Sequence, residues 1–443
     1  MTRPTLEEAG ADMPADKTAN IFVLGLDEQN LDTLNRLPER ERYAFHGLLT
    51  IPELQQGEIP IVELLTKAEQ SLDEFDGTVD AVVGYWDFPV STMLPLLCRS
   101  RGLPSASLEA VLKCEHKYWS RLEQRKVITE HPAFAVIDPD DDDPKPPADL
   151  RYPIWLKPVK SFSSELAFKV HDDAEFAEAM RQLEDGIGRV GDPFQFILDQ
   201  ADLPDEVAQV GARAVLAEES MSGVQAAVEG YARNGDVVVY GALDSVNFPD
   251  TDSFLRHQYP SQLPERAVDR MADVAKRVIE HIGLDNLVFS VEFFVDPETD
   301  DVWLLEINPR HSQSHAELFA HVDGVANHEL MVLLGLGEEP RLPDGGGRYA
   351  VAAKWFHRHF DGDAIVRRTP TRDEIDRIDR ELDGVEVEIV VDEGDQLSTL
   401  EGQDSYSCEL AQFIIGGDSV DNMTAKYRAA VDALHFELEP VRD

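Results

Sequence analysis

Between Ser290 and Arg310 two runs of alternating apolar residues flank a turn of Pro, Asp and Glu, a pattern that an antiparallel hairpin satisfies. On the first run Phe289, Val291, Phe293 and Val295 share one face and Glu292 takes the other. On the second, Trp303, Leu305 and Ile307 oppose Glu306 and Asn308, because side chains two apart share a face. A register pairing Asp296 with Val302 sets Glu292 opposite Glu306. Like charges directly opposite destabilise a sheet, and no lysine lies within the hairpin to neutralise them. A hard divalent cation prefers such oxygen ligands. The hairpin therefore predicts a metal face made of Glu292, Glu306 and Asn308.

The chain of 443 residues has room for two to four domains, and 43% hydrophobic residues make it globular. Its net charge of −46, from 86 acidic against 40 basic residues, argues against nucleic acid or an anionic membrane as a main partner. Only 12 of the basic residues are lysine. So acidic and lysine-poor a composition points to a halophile's salt-rich cytoplasm, where ions screen self-repulsion. Cys98, Cys114 and Cys408 are too widely spaced for a metal finger, which fits a reduced, cytoplasmic protein. No apolar run reaches the roughly 18–20 residues of a membrane span. Residues 1–18 are polar and acidic and read as a flexible tail rather than a leader.

Apolar runs at 20–26, 43–49 and 79–85, with helical spacing at 89–101, give a βαβ rhythm and predict a parallel α/β domain. No GxGxxG follows Leu24, so this domain reads as scaffold. The cluster Tyr85-Trp-Asp-Phe-Pro89 closes a parallel strand, where Asp87 could meet substrate, but it reads first as an aromatic plug whose Asp87 starts a helix. Asn234-Gly235 is the strongest hairpin turn in the chain. Residues 264–282 are strongly amphipathic, and a glycine-rich joint occupies 344–348.

Four motifs occur in order: Tyr152-Pro-Ile-Trp-Leu-Lys-Pro158 with Ser161-Phe-Ser-Ser164, then Leu216-Ala-Glu-Glu-Ser220, Val291-Glu-Phe293, and Leu305-Glu-Ile-Asn-Pro-Arg310. In this order and spacing, over roughly residues 18–340, the chain resembles the ATP-grasp superfamily, in its biotin-carboxylase-like and carboxylate–amine ligase branch. The resemblance implies an α/β ATP-grasp architecture. Residues 19–110 would form a pre-ATP-grasp domain, 111–343 a two-subdomain core with a lid at about 150–217, and 349–443 a small C-terminal α+β domain. It also implies ATP with Mg2+ (or Mn2+), and a homodimer. Residue by residue, Lys117 and Lys157 match the phosphate-binding lysines, and Glu218 and Glu219 the hinge that meets adenine and ribose. Glu292, Glu306 and Asn308 match the metal ligands, and Arg310 the arginine near the γ-phosphate.

The chain departs from the family in two places. The loop 159–164 has no glycine, leaving backbone amides and the hydroxyls of Ser161, Ser163 and Ser164, with Lys160 nearby, to cradle phosphate. After Arg310, Ser314 stands where biotin carboxylases have their glutamate base, and the 244–263 loop has Arg256 but no lysine. There is no Met-Lys-Met biotin-attachment motif. His311 and His315 are candidate general bases for an incoming amine, or polar residues capping the next helix. Arg256, His257 and Tyr259 sit in a long loop that suits a substrate site. The expectation is an ATP-dependent ligase that activates a carboxylate as acyl phosphate and passes it to an amine. The alternatives are biotin carboxylation through carboxyphosphate, and a non-catalytic ATP-binding module.

Overall fold

The computed structural model describes residues 18–161, 166–251, 253–342, 345–400, 403 and 407–441. Strands β1 (Ala19–Leu24), β2 (Tyr43–Leu48) and β3 (Ala81–Val83) form a parallel sheet in the order β2-β1-β3. Ile21, Val23, Val82 and Val83 are buried there, as a parallel sheet covered on both faces requires. The βαβ reading of this region matches the structure. The helix Val90–Arg101 follows β3 and ends on Gly102 in the left-handed conformation.

A second sheet holds β4 (Phe134–Ile137), β5 (Ile154–Pro158), β6 (Phe168–Val170) and β7 (Val215–Glu219), in the antiparallel order β4-β7-β5-β6. The helix Asp173–Gly186 covers it with Phe176, Ala179, Met180 and Leu183. Asp172 caps that helix by accepting from the amides of Ala174 and Glu175.

The largest sheet contains β8 (Val224–Arg233), β9 (Asp236–Asn247), β10 (Phe254–Tyr259), β11 (Leu287–Val295), β12 (Val302–Asn308) and β13 (Val351–His359). Two further strands, β15 (Val385–Ile389) and β16 (Cys408–Gly417), complete it in the order β12-β11-β8-β9-β10-β13-β16-β15. The remaining strands, β14 (Ala364–Arg368) and β17 (Glu437–Pro440), pair with each other. The Asn234-Gly235 turn joins β8 to β9 with both residues at positive φ (53° and 83°), the geometry its residues favour. The C-terminal segment thus extends the central sheet through the β10–β13 pairing. At the joint, a Cβ on Gly347 would lie 2.2 Å from the Val322 carbonyl carbon, so only glycine permits this close approach. The helix Glu265–Ile282 buries Met271, Val274, Ala275, Val278 and Ile279 in the same core as Phe289, Val291 and Phe293 of β11.

The predicted hairpin is present with one correction. Glu292 pairs with Glu306 and Ser290 with Asn308, but toward the turn Val295, not Asp296, meets Val302. A bulge between these halves places an extra residue in β12 at Leu304–Leu305. It flips the strand's alternation, so Val302 and Leu304 join Ile307 as the buried apolar residues, in place of Trp303 and Leu305.

Candidate active site

The opposed carboxylates of Glu292 and Glu306 sit where the 19–161 segment, the β4–β7 sheet and the large sheet converge. Glu292 accepts hydrogen bonds from Gln225 Nε2 (3.2 Å) and Asn308 Nδ2 (3.1 Å). Burial and the charge of Glu306 push Glu292 above the usual carboxylate range. Burial also acts to raise Glu306, but the ammonium groups of Lys117 and Lys157 outweigh it and hold that carboxyl low. Lys117 Nζ lies 2.8 Å from Glu306 Oε1. The neutralising lysine that the hairpin lacks is therefore supplied by another element.

Lys117 opens the helix Lys117–Gln124. His116 caps it, accepting from Trp119 N through Nδ1 (3.2 Å) while Nε2 donates to Gly211 O (3.0 Å). With both nitrogens used and the ring buried, burial lowers its pKa to about 4. This neutral cap ties the helix to the chain entering β7. Lys117 also donates from its backbone to Val159 O (2.8 Å) and from Nζ to Ser161 O (3.0 Å), fixing the start of the glycine-free loop.

Lys157 on β5 reaches across to β7, where its Nζ lies 2.6 Å from Glu218 Oε2. The other oxygen of Glu218 accepts from Arg121. Burial opposes ionisation of Glu218, yet Arg121 and Lys157 hold it down to about 2. Glu218 thus directs its carboxylate into a sealed cation pair, while Glu219 faces the other way and accepts from Arg151 N (3.1 Å). Arg121 also donates to Leu304 O (3.0 Å) and Leu305 O (2.7 Å), the carbonyls of the β12 bulge. One guanidinium therefore links β7, the helix and the hairpin. Its five fixed donors suit that task, and the sequence reading did not single it out.

Lys160 forms a close buried ion pair with Glu115, its ammonium 5.8 Å from the Phe88 ring and 5.9 Å from that of Phe194. Arg310 makes a fork with Asp87, Nε–Oδ1 3.0 Å and Nη2–Oδ2 2.8 Å. Burial acts against the Asp87 charge, but Arg310 overcomes it and keeps the carboxyl below its ordinary value. Tyr85 and Phe88 are buried, as the plug reading expects, and the fork adds a contact between Asp87 and the segment after β12.

His311 is fully buried, with Nε2 3.2 Å from His328 Nδ1 and Nδ1 without a partner. Burial, then the neighbouring His328, push its pKa well below the usual value. His315 Nδ1 lies 2.8 Å from Glu229 Oε1. His257 joins this group, its ring centroid 5.5 Å from that of His315 and its Nδ1 2.9 Å from Ser245 Oγ. Arg256 points to the other face of β10 and lies 4.6 Å over Trp355. Tyr259 donates to Asp323 (2.8 Å) and lines a separate cavity of about 140 Å³ with Tyr240, Phe319 and Asn327. Ser163 and Ser164 lie outside the described residues.

Among the described residues no group of three or more His, Cys, Asp or Glu side chains is gathered for a metal. The candidate set is two carboxylates and an amide. It fits Mg2+, which takes one or two protein carboxylates and completes its shell with phosphate and water.

Residues 150–316 match the ATP-grasp domain family. A 75-residue stretch is 36% identical to the carbamoyl phosphate synthase large chain of Kocuria rhizophila, covering 17% of this chain and 7% of that one. The chain therefore spans only a small part of the curated relatives it matches. The whole fold is similar to an L-amino acid ligase from Bacillus licheniformis (TM-score 0.67, 15% identity, 95% of this chain and 99% of that one). It is also similar to the biotin carboxylase domain dimer of the Hydrogenobacter thermophilus 2-oxoglutarate carboxylase, solved with MgADP, ADP and bicarbonate (TM-score 0.65, 12% identity, 96% and 92%). The chain is a protein of ATP-grasp fold with an ATP-grasp domain at its centre.

Proposed function

We propose that the chain is an ATP-dependent ligase that activates a carboxylate as acyl phosphate and transfers it to an amine or similar nucleophile, releasing ADP and phosphate. The observation that carries this reading is that Lys117 and Lys157 each rest on a carboxylate of the same buried cluster, Glu306 and Glu218. Such counter-ions are exchangeable for phosphate oxygens, and phosphoryl transfer demands mainly positioning and charge neutralisation.

In this reading Lys117 and Lys157 turn from their carboxylates to phosphate oxygens, and Glu218 and Glu219 edge the adenosine end. Glu306, Glu292 and Asn308 would hold Mg2+ (or Mn2+), which would supply further neutralisation of phosphate charge. Arg310, held by Asp87, faces the γ-phosphate and the acyl phosphate. A substrate carboxylate oxygen attacks the γ-phosphorus and the bond to ADP breaks. The amine nitrogen then attacks the acyl carbon and phosphate leaves. His257, beside His315, belongs to the acceptor side, whereas Arg256 and Tyr259 lie away from it.

The charge of −46 supports a protein working in a salt-rich cytoplasm without nucleic-acid or membrane partners. Among the described residues no helix is long and apolar enough to cross a membrane. A homodimer is proposed on the likeness to the dimeric biotin carboxylase domain. The test is an ADP-release screen in multimolar KCl that pairs carboxylates with amines and includes bicarbonate with free biotin. Carboxylate- and amine-dependent ADP release supports the ligase. Release that needs bicarbonate and biotin overturns it in favour of carboxylation, and binding of ATP without release across the panel favours a non-catalytic module.

A further inference from the structure

We propose that Glu229 is a positioning residue that fixes His315 in a single tautomer, with the Nε2 lone pair presented to the acceptor. The identity of the proton it receives rests on the ligase reading above; the tautomer does not.

Glu229 lies on β8 and is completely buried. Its Oε1 lies 2.8 Å from His315 Nδ1 and accepts from Ser312 N (3.3 Å), and its Oε2 accepts from Asn327 Nδ2 (2.8 Å) and Tyr240 OH (2.9 Å). Ser312 N and Asn327 Nδ2 can only donate, one to each oxygen, so both oxygens are placed as acceptors, as in a carboxylate. A carboxylate only accepts, hence His315 carries its hydrogen on Nδ1. A neutral ring then has its lone pair on Nε2.

That nitrogen has no hydrogen-bond partner among the described residues, and it is not among their sealed, unpartnered atoms. The side chain keeps 10% of its surface open. His311 is the contrast, since it is sealed and bonded to His328. The capping alternative fails for His315: it precedes the helix Ala316–Asp323 yet makes no side-chain capping bond.

The backbone is shaped for this contact. A bulge in the β8–β9 ladder falls at Glu229–Gly230 and leaves Tyr240 as the extra residue on β9, which is how a strand re-aims side chains beside a site. The groups facing the pair are Tyr240 from β9, His257 from β10, Arg310 and His311 from the segment after β12, and Asn327 beyond it. Arg310 is itself paired with Asp87. As the amine nitrogen bonds to the acyl carbon, its proton passes to His315 Nε2 while phosphate departs with the electron pair of the broken bond. Glu229 then balances the imidazolium, the role an orienting carboxylate plays beside a histidine base.

The experiment uses the full chain labelled with ¹⁵N-histidine in multimolar KCl, read by long-range ¹H–¹⁵N correlation. His315 is assigned by its absence in His315→Gln. The expected signature is a protonated Nδ1 and a bare Nε2 where the ring is neutral; a protonated Nε2 with a bare Nδ1 overturns the proposal. A kinetic arm compares Glu229→Gln with the native chain, using the amine found in the screen and hydroxylamine, which traps acyl phosphate without a base. The ratio of amide to hydroxamate should fall at least about tenfold, within the roughly 10²–10⁴ that a positioned base contributes. An equal fall in both products means a structural role only and overturns it. Should Glu229→Gln not fold, the tautomer of the native chain decides; should no amine support turnover, the ligase reading fails while the tautomer result stands.

Discussion

Asp87→Asn tests whether the N-terminal parallel domain supplies part of the site. The native fork joins two charges at 2.8 and 3.0 Å, with 15% of the Arg310 and 23% of the Asp87 side chain exposed. At an effective dielectric of about 20, such a pair about 4 Å apart is worth about 4 kcal/mol. Residual water, and the one oxygen that asparagine keeps, reduce the expected loss to about 1–3 kcal/mol. Asp87→Asn, Arg310→Met and the double variant form a cycle, measured by urea unfolding through tryptophan fluorescence at one fixed KCl concentration. Midpoints convert to free energies provided the slope is unchanged. The coupling should be about 1–2 kcal/mol, with the double variant less damaged than the sum of the singles. A coupling within about 0.5 kcal/mol of zero would refute the pairing and return Asp87 to the role of a helix-starting residue.

Three further outcomes follow from the site. Lys157→Met leaves Glu218 with Arg121 alone, and ATP affinity measured by calorimetry should drop at least about tenfold, the cost of a phosphate contact of about 1.4 kcal/mol; unchanged affinity would remove Lys157 from the phosphates. Acid should weaken the fold before most carboxylates titrate. Burial holds His116 down to about 4 and His328 to about 3, while in the unfolded chain both take up a proton near 6.5, so their stabilisation is complete above that pH and is lost progressively as pH falls from there toward the folded values. The loss should reach about 2–4 kcal/mol by pH 5, ahead of Glu218, whose stabilisation is lost only below about 4.5, and a flat urea midpoint between pH 7 and 5 would contradict it. Finally, stability should rise steadily from dilute buffer to multimolar KCl as the −46 charge is screened; a circular-dichroism melting point that falls with KCl would sink the halophile reading.

The sequence revealed what depended on local alternation and turn chemistry. The Glu292–Glu306 pairing was legible because each glutamate is flanked by apolar residues, and the β8–β9 turn because Asn-Gly favours positive φ. The β12 bulge was not, since Leu304 and Leu305 are both apolar and either can serve as the buried member of the alternation. The Asp87–Arg310 fork was not legible because the two partners lie 223 residues apart. Arg121 sits among Trp119 and Leu122 on a buried helix, and an arginine on an apolar face was the hint of its bonds to Glu218 and the bulge. The C-terminal strands join the central sheet by partner choice over long range, which no local pattern encodes.

The central claim is that Glu306 exchanges Lys117 for a metal when nucleotide binds. Calorimetric titration of ATP into the native chain and into Glu306→Gln, with and without Mg2+ in multimolar KCl, tests it most directly. The account predicts Mg2+-dependent binding to the native chain, and loss of that dependence in Glu306→Gln with at least about a tenfold weaker affinity when Mg2+ is present. Equal, Mg2+-dependent binding by both proteins would contradict it.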